Sequence, residues 1–92
     1  MIENFKHKGL RRFYESNDRS GINPEYVEKI KNILSMLDAA EAPDEMDIIT
    51  FHFHELKGAR KGTYSVTVRA NWRITFKFED GNATDVNLED YH

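Results

Sequence analysis

From Thr63 to Phe78 the chain alternates. Tyr64, Val66, Val68 and Ala70 fall on one parity, and Trp72, Ile74, Phe76 and Phe78 continue it, with Ser65, Thr67, Arg69, Arg73, Thr75 and Lys77 between them. A period of two carried by β-branched and aromatic side chains predicts half-buried antiparallel strands with one apolar and one polar face. Ala70-Asn71 is the expected tight turn, because Asn tolerates a left-handed backbone. Asp80-Gly81 is a second hairpin signal, and the last strand is expected from Ala83 to Leu88, with Val86 and Leu88 inward. Ile48 to Leu56 also reads as a strand, with Phe51 and Phe53 on one parity and His52 and His54 on the other. Ile2 to Phe5 reads as a short edge strand.

Ahead of this region the period lengthens. Leu10, Phe13 and Tyr14 lie on one side of a short helix predicted over Lys8 to Glu15. Asn23-Pro24 is a helix start, Asn as N-cap and Pro at the first helical position. Val27, Ile30, Ile33, Leu34 and Leu37 then recur at helical spacing through about Ala40, and Pro43 is expected to stop that helix. Asp44 to Asp47 forms an acidic connection, and Gly58 and Gly62 bracket a basic loop from Lys57 to Lys61. The predicted architecture is α+β. Two N-terminal helices pack on a three- or four-stranded antiparallel sheet, all in one domain over residues 1–92. Within this frame Trp72 and Tyr64 read as core residues, and Met36 and Met46 as filler or loop residues.

Composition adds less than charge placement. The chain is 39% hydrophobic and 32% charged, as expected of a soluble globular protein. There is no cysteine, so no disulfide framework or thiolate metal site can form. No apolar run approaches the roughly 20 residues of a membrane span, and the first residues lack a signal-peptide core, so a cytoplasmic location is expected. The net charge is −3, but residues 1–24 carry +2, residues 25–55 carry −6, residues 56–78 carry +6 and residues 79–92 carry −5. A basic stripe without a carboxylate therefore coincides with the alternating region, and a local field of this kind steers a polyanion despite the acidic total.

Four histidines, at positions 7, 52, 54 and 92, raise the question of metal. His52 and His54 share a predicted strand face, but a third ligand would have to come from Asp85, Asp90 or His92. No metal and no cofactor are expected. The stronger combination is His54, Lys57, Arg73, Asp90, Tyr91 and His92, with the C-terminal tetrad after the last strand able to fold back over the polar face. An imidazole moves protons near its ordinary pKa of about 6.5. Arg and Lys hold a phosphate and stabilise charge developing on it. An RNA 2′-hydroxyl as nucleophile would make a metal unnecessary.

The string Val68-Arg69-Ala70-Asn71-Trp72-Arg73-Ile74-Thr75-Phe76 carries a resemblance, together with His54-Glu55-Leu56-Lys57-Gly58, the opening Phe5-Lys6-His7-Lys8-Gly9-Leu10 and the final Glu89-Asp90-Tyr91-His92. It is similar to the HigB toxins of the RelE/ParE superfamily of toxin–antitoxin systems. The resemblance implies a RelE-like fold and cleavage of mRNA in the ribosomal A site. It also implies inhibition by a HigA-like helix-turn-helix antitoxin, with operator DNA reached only through that antitoxin. Matched position by position, His54, Asp90, Tyr91 and His92 are the implied catalytic residues. Lys57 and Arg73 are implied phosphate-side cations, with Arg69 and Lys77 on the same basic stripe. His92 is assigned the proton-accepting role, oriented by Asp90, His54 the acid role, and Tyr91 the positioning of base or 2′-hydroxyl. The alternative is a non-catalytic toxin that poisons DNA gyrase, as the ParE branch does.

Overall fold

The computed structural model describes residues 1–90. Helix α1 spans Lys8–Ser16 and α2 spans Val27–Ala39; strands β1 His54–Glu55, β2 Tyr64–Arg69, β3 Trp72–Glu79 and β4 Asn82–Asp90 follow. Among the described residues the sheet is a four-stranded antiparallel meander in the order β1-β2-β3-β4. The helices cover its apolar face. Leu10 and Phe13 of α1, and Ile30, Ile33, Leu34 and Leu37 of α2, are buried with Val66, Ile74, Phe76, Ala83 and Val86 of the sheet.

Each helix begins where its side chains permit. The His7 Nδ1 accepts the Leu10 N–H at 3.1 Å and caps α1. The Asn23 Oδ1 accepts the Glu25 N–H at 2.9 Å, and Pro24 opens a 3-10 turn that leads into α2. Pro43 is not what ends α2. The helix stops at Ala39, Ala40 is already extended, and Pro43 instead opens a 3-10 turn to Met46. Met46 is fully buried, so it is a core residue rather than loop filler: the turn points it inward.

The segment before the hairpins departs most from the predicted pattern. Ile49–Phe51 is a 3-10 turn and His52 is left-handed (φ 49°), leaving only His54–Glu55 as strand. The cause is Phe51, which is buried in the core beneath the Lys29 ammonium, 5.3 Å from its ring centroid. His52 and His54 therefore do not share a strand face. At the other end, residues 2 and 5 bridge Ala83 and Val86 in parallel, so the N-terminal segment runs along the outer edge of β4 as two bridges rather than a full strand.

Both hairpin turns fall where expected, with one difference. Asp80 and Gly81 have φ of 53° and 79°, as a two-residue turn twisted like its strands requires. At Ala70-Asn71 the left-handed residue is Ala70 (φ 51°), not Asn71. Two bulges re-register the sheet, one at Val68 between the Thr67–Arg73 and Arg69–Trp72 pairs, the other at Asp85 and Val86 opposite Phe76. Strand β4 also continues past Leu88, carrying Glu89 and Asp90 within the ladder.

Candidate active site

The polar face is organised in rows across the strands. His54, Ser65, Thr75 and Asn87 are successive cross-strand partners, and Thr67, Arg73 and Glu89 form the next row. The face is not open along its length: Ser65 and Thr75 are 0% and 2% exposed although they lie on the polar parity. The basic segment between β1 and β2 folds over them. A 3-10 turn at Gly58–Arg60 lets Arg60 reach Glu89, with Nη1 and Nη2 donating to the two carboxylate oxygens at 2.9 and 2.7 Å. The Thr75 hydroxyl donates to the same carboxylate, and Glu55 Oε2 accepts the Gly62 N–H at 3.0 Å at the far end of the segment. Arg60 first, with Thr75 and Asn87 adding to it against burial, holds the Glu89 carboxyl below its ordinary range.

His54, Arg73, Lys57 and Lys77 lie around this strut. The exposed His54 has its Nδ1 3.2 Å from the His52 carbonyl and its Nε2 3.5 Å from the Ser65 hydroxyl. A proton on Nδ1 is thus donated to a backbone oxygen, which leaves Nε2 over the polar face to give or take one. Arg73, half-buried at mid-face, donates through Nη1 to the Thr67 hydroxyl, which fixes its guanidinium. Lys57 is exposed where the covering segment begins, and Lys77 is exposed beyond Thr75 on β3.

The structure does not bring all of the expected residues together. His54 and Asp90 sit on the two outer strands, three strand spacings (about 14 Å at roughly 4.8 Å each) apart across the sheet and three residues apart along it. Asp90 pairs with Trp72, on the opposite parity from Arg73. The bulge at Val68 also sets Arg69 opposite Trp72, outside the Thr67–Arg73–Glu89 row. Tyr91 and His92 lie outside the described residues. Among the described residues no group of three His, Asp or Glu side chains is arranged to hold a metal ion.

Glu89 and Arg60 were not assigned roles from the sequence, although a signal existed. Continuing the period of two from Asn87 puts Glu89 on the basic face, within reach of a cation.

The chain is a small α+β scaffold that carries His54, Arg73 and Lys77 along one sheet face, with Lys57 at its edge. Comparison with known proteins makes the assignment narrower. The family described as the RelE-like toxin of type II toxin–antitoxin system HigB matches residues 3–92, and the chain belongs to it. It is 46% identical over 92 residues, the whole of both chains, to "Endoribonuclease HigB" of Proteus vulgaris. It is 34% identical over 91 residues to "Toxin HigB-1" of Vibrio cholerae serotype O1 (strain ATCC 39315 / El Tor Inaba N16961), covering 97% of this chain and 96% of the other. Membership of a type II toxin–antitoxin family implies an antitoxin partner. No helix among the described residues is long and apolar enough to cross a membrane.

Proposed function

We propose that this toxin is a ribosome-dependent endoribonuclease that cuts mRNA in the A site and so stops translation. The observation that carries the reading is a fixed guanidinium and an imidazole on one polar sheet face. Arg73 is held at mid-face by Thr67, and His54, exposed on β1, has its Nε2 beside Ser65 on the same face. In-line displacement at phosphorus needs a base beside the nucleophile and an acid beside the leaving group, on opposite sides of the phosphate. In this reading His54 serves one side of a phosphate held over the strands beside it.

The 2′-hydroxyl attacks the adjacent phosphate, the bond to the 5′-oxygen breaks, and the products are a 2′,3′-cyclic phosphate and a 5′-hydroxyl. The nucleophile is part of the substrate, so no metal-bound water is needed to generate one. In this reading His92, oriented by Asp90, accepts the 2′-hydroxyl proton, Tyr91 positions the reacting groups, and His54 protonates the leaving oxygen. Arg73 and Lys57 stabilise charge on the phosphorane, while Arg69 and Lys77 hold neighbouring phosphates. The Proteus vulgaris relative, an endoribonuclease by name and identical at nearly half of its positions, supports this activity. Dependence on the ribosome follows from size, because one small face cannot alone orient a flexible codon for in-line attack. The antitoxin is expected to be a HigA-like helix-turn-helix protein that silences the toxin and connects it to operator DNA.

The test is cleavage of a defined mRNA on programmed 70S ribosomes, mapped by primer extension, beside the same RNA without ribosomes. The expected result is cuts within the A-site codon only when ribosomes are present. His54→Ala should slow them roughly 10²- to 10⁴-fold with the melting curve unchanged. Full activity in His54→Ala, or no cuts by the wild type under either condition, would sink the reading.

A further inference from the structure

Beside the Arg60–Glu89 pair, a cleft of about 180 Å³ opens between the covering segment and the edge of β4, lined by Lys6, Arg60, Thr63, Thr75, Lys77 and Glu89 among others. Its floor is the buried Thr75 and Thr63. Glu89 is already engaged by Arg60 and Thr75. The charges left facing the cleft are Lys6 and Lys77, opposed by Asp85. Among the described residues neither lysine has a carboxylate within ion-pair distance. Lys6 is held there by backbone: its N–H donates to the Val86 carbonyl at 2.8 Å, and Asn4 Oδ1 accepts the Asp85 N–H at 2.6 Å, tying the N-terminal segment to the β4 bulge. Two exposed lysines lining a cleft floored by threonines suit a singly charged phosphodiester.

Lys77 lies on the same strand and face as Arg73 but four residues on, about 13 Å at roughly 3.4 Å per residue. With the Arg73 guanidinium tied to Thr67, Lys77 is placed for a neighbouring phosphate rather than the same one. We propose that this cleft binds a second phosphate of the substrate RNA, at least one nucleotide away from the cut, through Lys6 and Lys77. The assignment rests on the cleavage reading above. It gives the N-terminal segment a part in substrate binding and sets the direction of the strand, from Arg73 toward the Lys77 end of β3.

The test has two arms, with Lys6→Gln, Lys77→Gln and Asp85→Asn set against Lys8→Gln as a control for lost charge. In the first arm, binding of a 2′-O-methyl hexanucleotide, which has no free nucleophile, is measured against salt. Lys6→Gln and Lys77→Gln should each lower the slope by about 0.7 and weaken binding roughly three- to fivefold. Asp85→Asn, which keeps a residue tolerant of the left-handed backbone, should tighten it. In the second arm, cleavage on programmed ribosomes should keep its plateau rate in Lys6→Gln while the half-saturating toxin concentration rises by a similar factor. Lys6→Gln matching Lys8→Gln, or Asp85→Asn binding no tighter than wild type, overturns the proposal. So does an equal loss on ribosomes lacking mRNA, which would assign the phosphate to ribosomal RNA. If the wild type binds the hexanucleotide but cuts nothing, the cleavage reading fails and the binding arm still judges the cleft.

Discussion

Replacing Glu89 by Ala removes the acceptor on which the covering segment is fastened. The loss has two parts. The Thr75 hydroxyl, 2% exposed, loses its carboxylate acceptor, and a buried donor left unpaired costs about 1–3 kcal/mol. Arg60 loses a bidentate partner, but its side chain is 44% exposed and returns to water, so this part adds at most about 1 kcal/mol. The total is about 1–4 kcal/mol, which for a domain of this size lowers Tm by about 4 °C or more. Arg60→Ala keeps the Thr75–Glu89 bond and should cost less than about 1 kcal/mol. The pH dependence has a definite sign. Arg60 holds the Glu89 carboxyl below its ordinary 4.5, so its contribution is complete above that value and is lost as pH falls through the folded-state pKa. The stability gap between wild type and Glu89→Gln should therefore hold from neutral pH down to about 5 and close below about 4.5. Melting curves followed by circular dichroism at several pH values measure all three quantities. Glu89→Ala within about 3 °C of wild type, or Arg60→Ala as costly as Glu89→Ala, would refute the reasoning.

Gly9→Ala should destabilise by about 1–3 kcal/mol in denaturant titration, because its Cβ would meet the Gly21 carbonyl oxygen at 2.7 Å and His7 Cε1 at 2.9 Å. His7 caps α1 through a neutral ring nitrogen, and burial, then Arg12, lowers its pKa from 6.5. Its contribution is thus complete above 6.5 and lost as pH falls toward the folded-state pKa; His7→Asn, which caps without titrating, should flatten that part of the stability–pH curve. Ala70→Gly should stabilise by about 0.5–1 kcal/mol, since Ala70 sits at φ 51° in the turn and glycine adopts that backbone without strain.

What was legible in the sequence is what periodicity controls. The two helices, both hairpin turns and the apolar sheet face follow from spacing, because 3.6 and 2 are distinct and the segments are long enough to count. The segment from Ile48 to Phe53 was not legible: its alternation imitates a strand, while Phe51 is drawn under Lys29 by contacts more than twenty residues away in sequence. Bulges are invisible to a parity count, which is why Arg69 was grouped with Arg73 although its register is shifted. Parity placed His54 and Arg73 on the polar face, but it did not reveal that Ser65 and Thr75 would be buried there. That depends on one long-range pair, Arg60 with Glu89, and no local pattern specifies its partner.

The central claim is that this polar face cuts RNA by using the substrate's own 2′-hydroxyl. The most direct measurement places a single 2′-deoxynucleotide at the mapped cut position of an mRNA on programmed ribosomes and compares it with the all-ribose message. The account predicts cleavage of the all-ribose message, leaving a 2′,3′-cyclic phosphate, and none at the deoxy position. Cleavage of the deoxy message at the same bond and a comparable rate would contradict it.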